Sequence, residues 1–351
     1  MLNPWCWSAA PARLEQPVAL LRLDGPDSLR FLHGQSSQDL VLARPGAWCS
    51  TCCITPTARL RALAEVLVDG SGAWLVITAG GAEAVRQALD RVLFPADAVQ
   101  LGPLQPGLWL EPVEPQGPGN QADAVAAAPA AAVQAAAVQA GAAQAGAAPQ
   151  RNWESLPAGQ GWRLGRAVVL GAGAPMPAEL AALPPLSDAA LEWRRIALGL
   201  PAAAAEINDD TNPFELGLAD RVSLSKGCYV GQETLARLAT YDGVKQQLRR
   251  WFAPAQAGRA APAAGTPLRG AAGERAGSIT TALALPGGAG WIGLALVRRA
   301  ALAQQRLWLG GEDGAVAGEG LGPGAGGVEL LISMPETFVA PPVAGGGAAK
   351  A

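Results

Sequence analysis

The chain has 351 residues, a formal net charge of −3, and an apolar half of which much is alanine. That length admits two or three domains around a large core, and the acidic balance lacks the basic footprint of a phosphate binder, which argues against nucleic acid as a direct partner. With one histidine and five cysteines, any Ser-His-Asp or Cys-His site would have to use His33, and the odd thiol count points to a reducing compartment rather than a secreted disulfide framework.

The first residues lack a basic segment before Arg13 and an apolar run of signal length, and no apolar run of about 18 residues occurs. The expectation is a cytoplasmic protein with no membrane span, acting as a monomer. A local basic patch from Arg194, Arg195, Arg237, Lys245, Arg249 and Arg250 stays open.

In chain order, residues 17–23 read as a strand and 26–33 as a helix with Asp24 or Asp27 near its start. Within that helix, before Gly34, His33 is expected to play a structural part. The segment Cys49-Ser50-Thr51-Cys52-Cys53 has a C-x-x-C spacing, but the chain has no second pair and too few histidines to complete four ligands. Its cysteines read as small side chains on a strand through 48–54. Residues 61–68 and 73–78 read as strands joined by the Asp69-Gly70-Ser71-Gly72 turn. Residues 82–93 carry Val85, Leu89, Val92 and Leu93 at helical spacing, and 99–101 and 108–113 continue the strand pattern.

Between Glu114 and Arg151 the character changes. Of the 27 residues from 122 to 148, 17 are alanine, and Asp123 is the one charge in the interval. Alanine favours helix but offers little area to dock, so 115–150 reads as a disordered surface insertion with a partly helical stretch over 130–140. Residues 161–170 then read as a strand and 188–198 as a helix capped by Ser187 and ended by Gly199 and Pro201. From Lys245 onward short strands at 248–253, 266–268, 276–285, 290–297 and 305–309 alternate with Gly/Pro turns, the rhythm of a small antiparallel barrel. The Gly/Pro/Ala-rich end, 335–351, is expected to be disordered.

The most informative stretch is Ser225-Lys226-Gly227-Cys228-Tyr229-Val230-Gly231-Gln232-Glu233. It places a thiol, a lysine and two glycines where a helix is expected to begin. A helix N-terminus and a nearby cation, Lys226 or Arg237, favour thiolate, while Glu233 opposes it. The residues alone leave two readings: a working thiol, or a small apolar cysteine in a tight turn permitted by Gly227 and Gly231.

The whole string resembles the signature of the YgfZ-type folate-binding proteins, relatives of the glycine-cleavage aminomethyltransferase. Trp193-Arg194-Arg195-Ile196-Ala197-Leu198-Gly199-Leu200-Pro201 resembles that family's W-x-x-x-x-x-G-x-P segment, and Thr211-Asn212-Pro213-Phe214-Glu215-Leu216-Gly217-Leu218 its T-N-P-x-E-L-G-L segment. The stretch from Leu23 to Gln35 resembles its opening helix and G-Q turn. The likeness spans about residues 17–112 and 160–333.

The resemblance implies an α+β fold, a three-domain cloverleaf around a central folate pocket with a C-terminal antiparallel β-barrel. The expected divisions are 15–103 plus 191–243 for the folate-binding domain, 1–14 plus 104–190 for a second α+β domain, and 244–334 for the barrel. It implies tetrahydrofolate or a folate derivative as cofactor, and folate together with iron-sulfur enzymes or assembly proteins, including tRNA-thiomethylating ones, as partners. It assigns Cys228 and Lys226 to the working chemistry. Trp193, Gly227, Tyr229, Gly231, Gln232, Glu233, Arg237 and Glu215 are assigned to the cofactor, with no resident metal.

Two departures qualify the resemblance. A second family tryptophan falls near Val18, and the aminomethyltransferase G-G-x-x-D-D segment is matched by Ala58-Arg59-Leu60-Arg61-Ala62-Leu63-Ala64, with no carboxylate until Glu65. Ala62 and Leu63 can neither stabilise charge on a folate nitrogen nor manage its proton, so aminomethyl transfer is not expected. Glu206, Asp209, Asp210, Glu215 and Asp220 form an acidic group that either holds pterin amino groups or caps a solvated loop. A folate-dependent transferase or demethylase using Glu65 or Asp210, and a non-catalytic scaffold, remain the alternatives.

Overall fold

The computed structural model describes residues 4–5, 10–114, 151–157, 161–256, 259–310 and 327–342. The insertion expected at 115–150 and the end of the tail, 343–351, lie outside the described residues.

The first part of the chain builds one sheet. Its strands are β1 (Ala12–Asp24), β2 (Ala47–Ile54), β3 (Leu60–Val68), β4 (Gly72–Gly80), β5 (Gln100–Val113), β6 (Arg151–Asn152), β7 (Glu154–Ser155), β8 (Gly161–Leu164) and β9 (Ala167–Gly171). They lie in the order β6-β2-β3-β4-β1-β5-β9-β8-β7, every named pair antiparallel. β1 and β5 pair almost end to end, from Ala12 opposite Val113 to Asp24 opposite Gln100, with one irregularity at Leu21/Leu23. These two strands run continuously through positions 14/15 and 103/104, where a change of domain is expected from the sequence.

β5 also joins the separate strands expected at 99–101 and 108–113, although Pro103 and Pro106 intervene. Its second neighbour, β9, pairs only with Gly107 to Leu110, so both prolines fall where β5 has a single neighbour and a missing N–H breaks no second ladder. The single strand expected at 161–170 is instead the β8–β9 hairpin, turned at Gly165, whose φ of +62° suits glycine.

Two helices, α1 (Ser28–Gln35) and α2 (Ala82–Val92), cover one face of the sheet through Phe31, Leu32, Val85 and Leu89. After a short α3 (Ala178–Ala181), α4 (Asp188–Leu198) is capped as the sequence predicts. Ser187 accepts from the Ala190 N–H, and Gly199 closes the helix at φ +75°. α5 (Gln232–Thr240) begins at an N-cap Gly231.

The remaining strands, β10 (Gln246–Pro254), β11 (Pro267–Arg269), β12 (Arg275–Ala284), β13 (Gly290–Arg298), β14 (Arg306–Leu309) and β15 (Glu329–Ser333), form a closed barrel in the order β10-β13-β12-β11-β14-β15. One apolar cluster joins all parts: Cys52, Ile54, Leu60 and Leu63 from the sheet, Trp193, Ile196 and Ala197 from α4, Phe214, Leu216 and Tyr229, Leu235 from α5, and Leu248, Ile292 and Leu294 from the barrel.

The tail departs from the expected disorder through its described part. Thr337 is buried and donates to the Leu198 carbonyl at 2.7 Å, the Val339 N–H reaches the Gly217 carbonyl at 2.8 Å, and Phe338 packs against the central cluster. Composition pointed to disorder because Gly, Pro and Ala supply little area, but Pro335 and Phe338 lie where Gly199 and Gly217 carry no side chain.

Candidate functional site

A cavity of about 360 Å³ opens between the sheet and α4, within the roughly 300–1,000 Å³ range of ligand pockets. Its wall takes Leu14 and Gln16 from β1, Leu63 and Glu65 from β3, Ala79 from β4, Trp109 and Glu111 from β5, Leu191, Glu192, Arg194 and Arg195 from α4, and the following Leu200 to Ala202. Leu218 and Arg221 close it from the segment before the thiol motif.

Most of the charges on this wall are saturated. Glu65 accepts from Trp48 Nε1 and Ser50 Oγ, each at 2.6 Å, and pairs with Arg221 at 3.1 Å. Arg195 holds Glu192 through two bonds of 2.7 and 2.8 Å and also reaches the Leu200 carbonyl and Glu206. Glu206, fully buried, accepts further from the Ala202 N–H at 3.0 Å and from Thr281 Oγ1 at 2.7 Å. These bonds fix α4 to the loop after it and to barrel strand β12.

Glu111 differs. It is 1 % exposed, its Oε1 meets Arg194 Nη2 at 3.5 Å, and its Oε2 has no hydrogen-bond partner. Burial pushes its carboxyl up to about 7, with Arg194 and then Arg166 opposing. The sequence reading passed over Glu111, although a signal was present: Trp109, Glu111 and Val113 share one face of β5 by the period of two, which puts a carboxylate in phase with two core side chains.

The thiol motif lies outside the cavity lining. Its loop is clamped onto the turn after α1. Lys226 is buried, and its ammonium donates to the carbonyls of His33, Ser36 and Gln38 at 2.5, 2.7 and 2.7 Å while lying 4.3 Å from the Tyr229 ring centre. Burial pulls this amine down to about 7, with Asp39 opposing. Three carbonyl acceptors are matched only by the three N–H groups of the protonated form. The Val230 N–H reaches the Gly34 carbonyl at 3.0 Å, and Gln232 Nε2 the Lys226 carbonyl at 3.3 Å.

Cys228 is exposed. It precedes the first residue of α5 by four positions, so the helix expected to begin at the thiol begins beyond it. Of the two cations considered for it, Lys226 is bound to carbonyls and Arg237 pairs at 2.5 Å with Glu233 on the exposed face of α5. Gly231 adopts φ +80°, and a Cβ there would lie 2.8 Å from the Thr55 carbonyl oxygen. At Gly227 a Cβ would meet nothing within 4 Å.

The remaining residues assigned to the cofactor hold the scaffold. Trp193, 8 % exposed, packs in the central cluster rather than on the cavity wall. Tyr229 is buried, and burial pushes its phenol further up. The carboxylate of Glu215 accepts from the Asn212 N–H at 3.0 Å, while Asn212 Oδ1 accepts from the N–H groups of Phe214 and Glu215, so the T-N-P-x-E segment is a self-capped turn. Asp210 is exposed, and its carbonyl accepts from Arg59. Nδ1 of His33 accepts from the Leu40 N–H at 3.3 Å, a structural role. Cys49, Cys52 and Cys53 are buried free thiols on β2, pushed by burial up to about 11, 12 and 12.

No family model matches the chain. A chloroplastic protein of Arabidopsis thaliana named "putative transferase" is 27% identical over 305 residues, which cover 84% of this chain; the chain spans 66% of that relative's length. Among solved structures, the glycine cleavage system aminomethyltransferase T from Bartonella henselae superposes with a TM-score of 0.65 at 18% identity, covering 96% of this chain and 88% of its own. The chain therefore has the fold of the glycine-cleavage aminomethyltransferase.

Proposed function

We propose that this protein binds a reduced folate in the 360 Å³ cavity and supports the assembly or repair of iron-sulfur enzymes, including tRNA-thiomethylating ones, as a YgfZ-type protein. A reduced pterin presents ring N–H groups on several sides around a flat body. The cavity offers apolar faces from Leu14, Leu63 and Leu191, an aromatic wall from Trp109, and a carboxyl oxygen on Glu111 without a partner, so the residues present fit such a group. When bound, the folate would supply a one-carbon carrier; the chain itself positions the ring and excludes water.

The observation that carries the assignment is the motif's arrangement. Lys226 and Gly231 fix the loop from both sides and leave Cys228 exposed between them, while at the positions of the transferase carboxylates Ala62 is buried and Leu63 lines the cavity. A fixed, accessible thiol suits contact with a partner protein's cluster or sulfur. In cells lacking the native copy, the wild-type chain is expected to restore iron-sulfur enzyme activity and Cys228→Ala to fail. Full rescue by Cys228→Ala would remove the thiol from the function and leave a scaffold.

A second reading, a folate-dependent transferase or demethylase, is favoured by the two carboxylates Glu65 and Glu111 on the cavity wall. It requires turnover of a glycine-derived or methylamine substrate with tetrahydrofolate.

A further inference from the structure

A buried carboxyl oxygen in the wall of a cavity with nothing bonded to it is costly, because an unsatisfied charged acceptor loses its hydration without replacement. The other carboxylate deep in this wall, Glu65, has both oxygens engaged. Glu111 has one oxygen at the limit of contact with Arg194 and the other free. Resting on the folate reading above, we propose that Glu111 is the ligand-recognition carboxylate of the cavity, its carboxylate accepting N–H groups from the donor-rich edge of a reduced pterin.

This assignment carries a proton. Burial holds Glu111 protonated up to about pH 7. An N–H donor rewards the ionised form, so binding below that pH releases the carboxyl proton to solvent. The charged groups around Glu111 are Arg194 from α4 and Arg166 from the β8–β9 turn. On the same cavity wall stand Glu15 of β1, Glu65 of β3, Asp188, Glu192 and Arg195 of α4, and Arg221. Replacing Glu111 alone separates its titration from theirs.

The test is calorimetric titration of the full chain with 5-formyltetrahydrofolate, whose ring keeps the N3–H, 2-amino and N8–H donors. It is run between pH 5.5 and 8 in buffers of different ionisation enthalpy. With the carboxyl titrating near 7, affinity is expected to tighten roughly 30-fold across that range, and about 0.9 proton is expected to leave per ligand at pH 6. Glu111→Gln is expected to bind more weakly at pH 8, with no pH slope and no proton release.

The same variant controls for folding. A raised carboxyl stabilises the native state below the unfolded value and loses that contribution as pH rises through 7, so Glu111→Gln is expected to melt above wild type at pH 8. Wild-type binding without pH slope or proton release would overturn the assignment of Glu111 while leaving folate binding intact. Absence of binding at every pH would overturn the folate reading and this inference with it.

Discussion

An ammonium has three N–H donors, and Lys226 directs all three at the carbonyls of His33, Ser36 and Gln38, where α1 ends. The His33 carbonyl needs a partner because the last turn of a helix has no intrahelical donors left, and those of Ser36 and Gln38 lie in the buried turn that follows the helix. Lys226 thus acts as a side-chain cap reaching in from nearly 200 positions away. Lys226→Met keeps the apolar stem and removes the donors, and is expected to cost about 2–4 kcal/mol in urea unfolding. Cys228→Ala, at an exposed site, is expected to stay within about 0.5 kcal/mol of wild type. Equal stability of Lys226→Met and wild type would show that the three carbonyls find other partners. The motif was legible as a unit in the sequence; the burial of its lysine was not, because the acceptors are backbone oxygens that leave no trace in residue identity.

At the scale of elements, the loop between the 3₁₀ turn Ala219–Arg221 and α5 must pass close to the end of β2 before turning into the helix. Gly231 makes that approach possible. Its φ of +80° disfavours any side chain by about 1–2 kcal/mol, and a Cβ would also press on Thr55 and Ile54. Gly231→Ala is expected to cost about 2–4 kcal/mol, measured by thermal unfolding, against less than about 0.5 for Gly227→Ala. Comparable losses at the two glycines would mean that the loop can shift away from β2. Turns and caps such as Ser187, Gly199 and the Asn212–Glu215 segment were readable because their chemistry is local. The long β5 and the β8–β9 hairpin were not, because pairing with β1 carries a strand through two prolines while one glycine breaks another strand.

Across the whole molecule, the described end of the chain ties the barrel to the helix that lines the cavity. After β15, Pro335 covers Gly199, Thr337 donates to the last carbonyl of α4, that of Leu198, and Phe338 lies over Gly217 with Arg249 of β10 at 5.0 Å from its ring centre. Arg250, also of β10, adds a bond to the Ala197 carbonyl at 2.7 Å and meets Glu336 at 3.6 Å. The contacts of Pro335, Thr337 and Phe338, and the Arg250 bond to Ala197, fall on the C-terminal end of α4 or on the T-N-P-x-E-L-G-L segment, the two elements that carry Arg194 and Leu218 into the cavity wall. Two glycines that read as family motif positions are therefore also the seats of a distant tail, a pairing that no local pattern reveals. Phe338→Ala removes a half-buried ring from this junction and is expected to lower stability by about 1–3 kcal/mol. Because α4 is the element released, amide exchange should rise at Ile196, Ala197 and Leu198 more than in β3 or β4. Uniform acceleration across the sheet would show instead that tail and core unfold as one unit, and that the junction has no separate hold on the cavity.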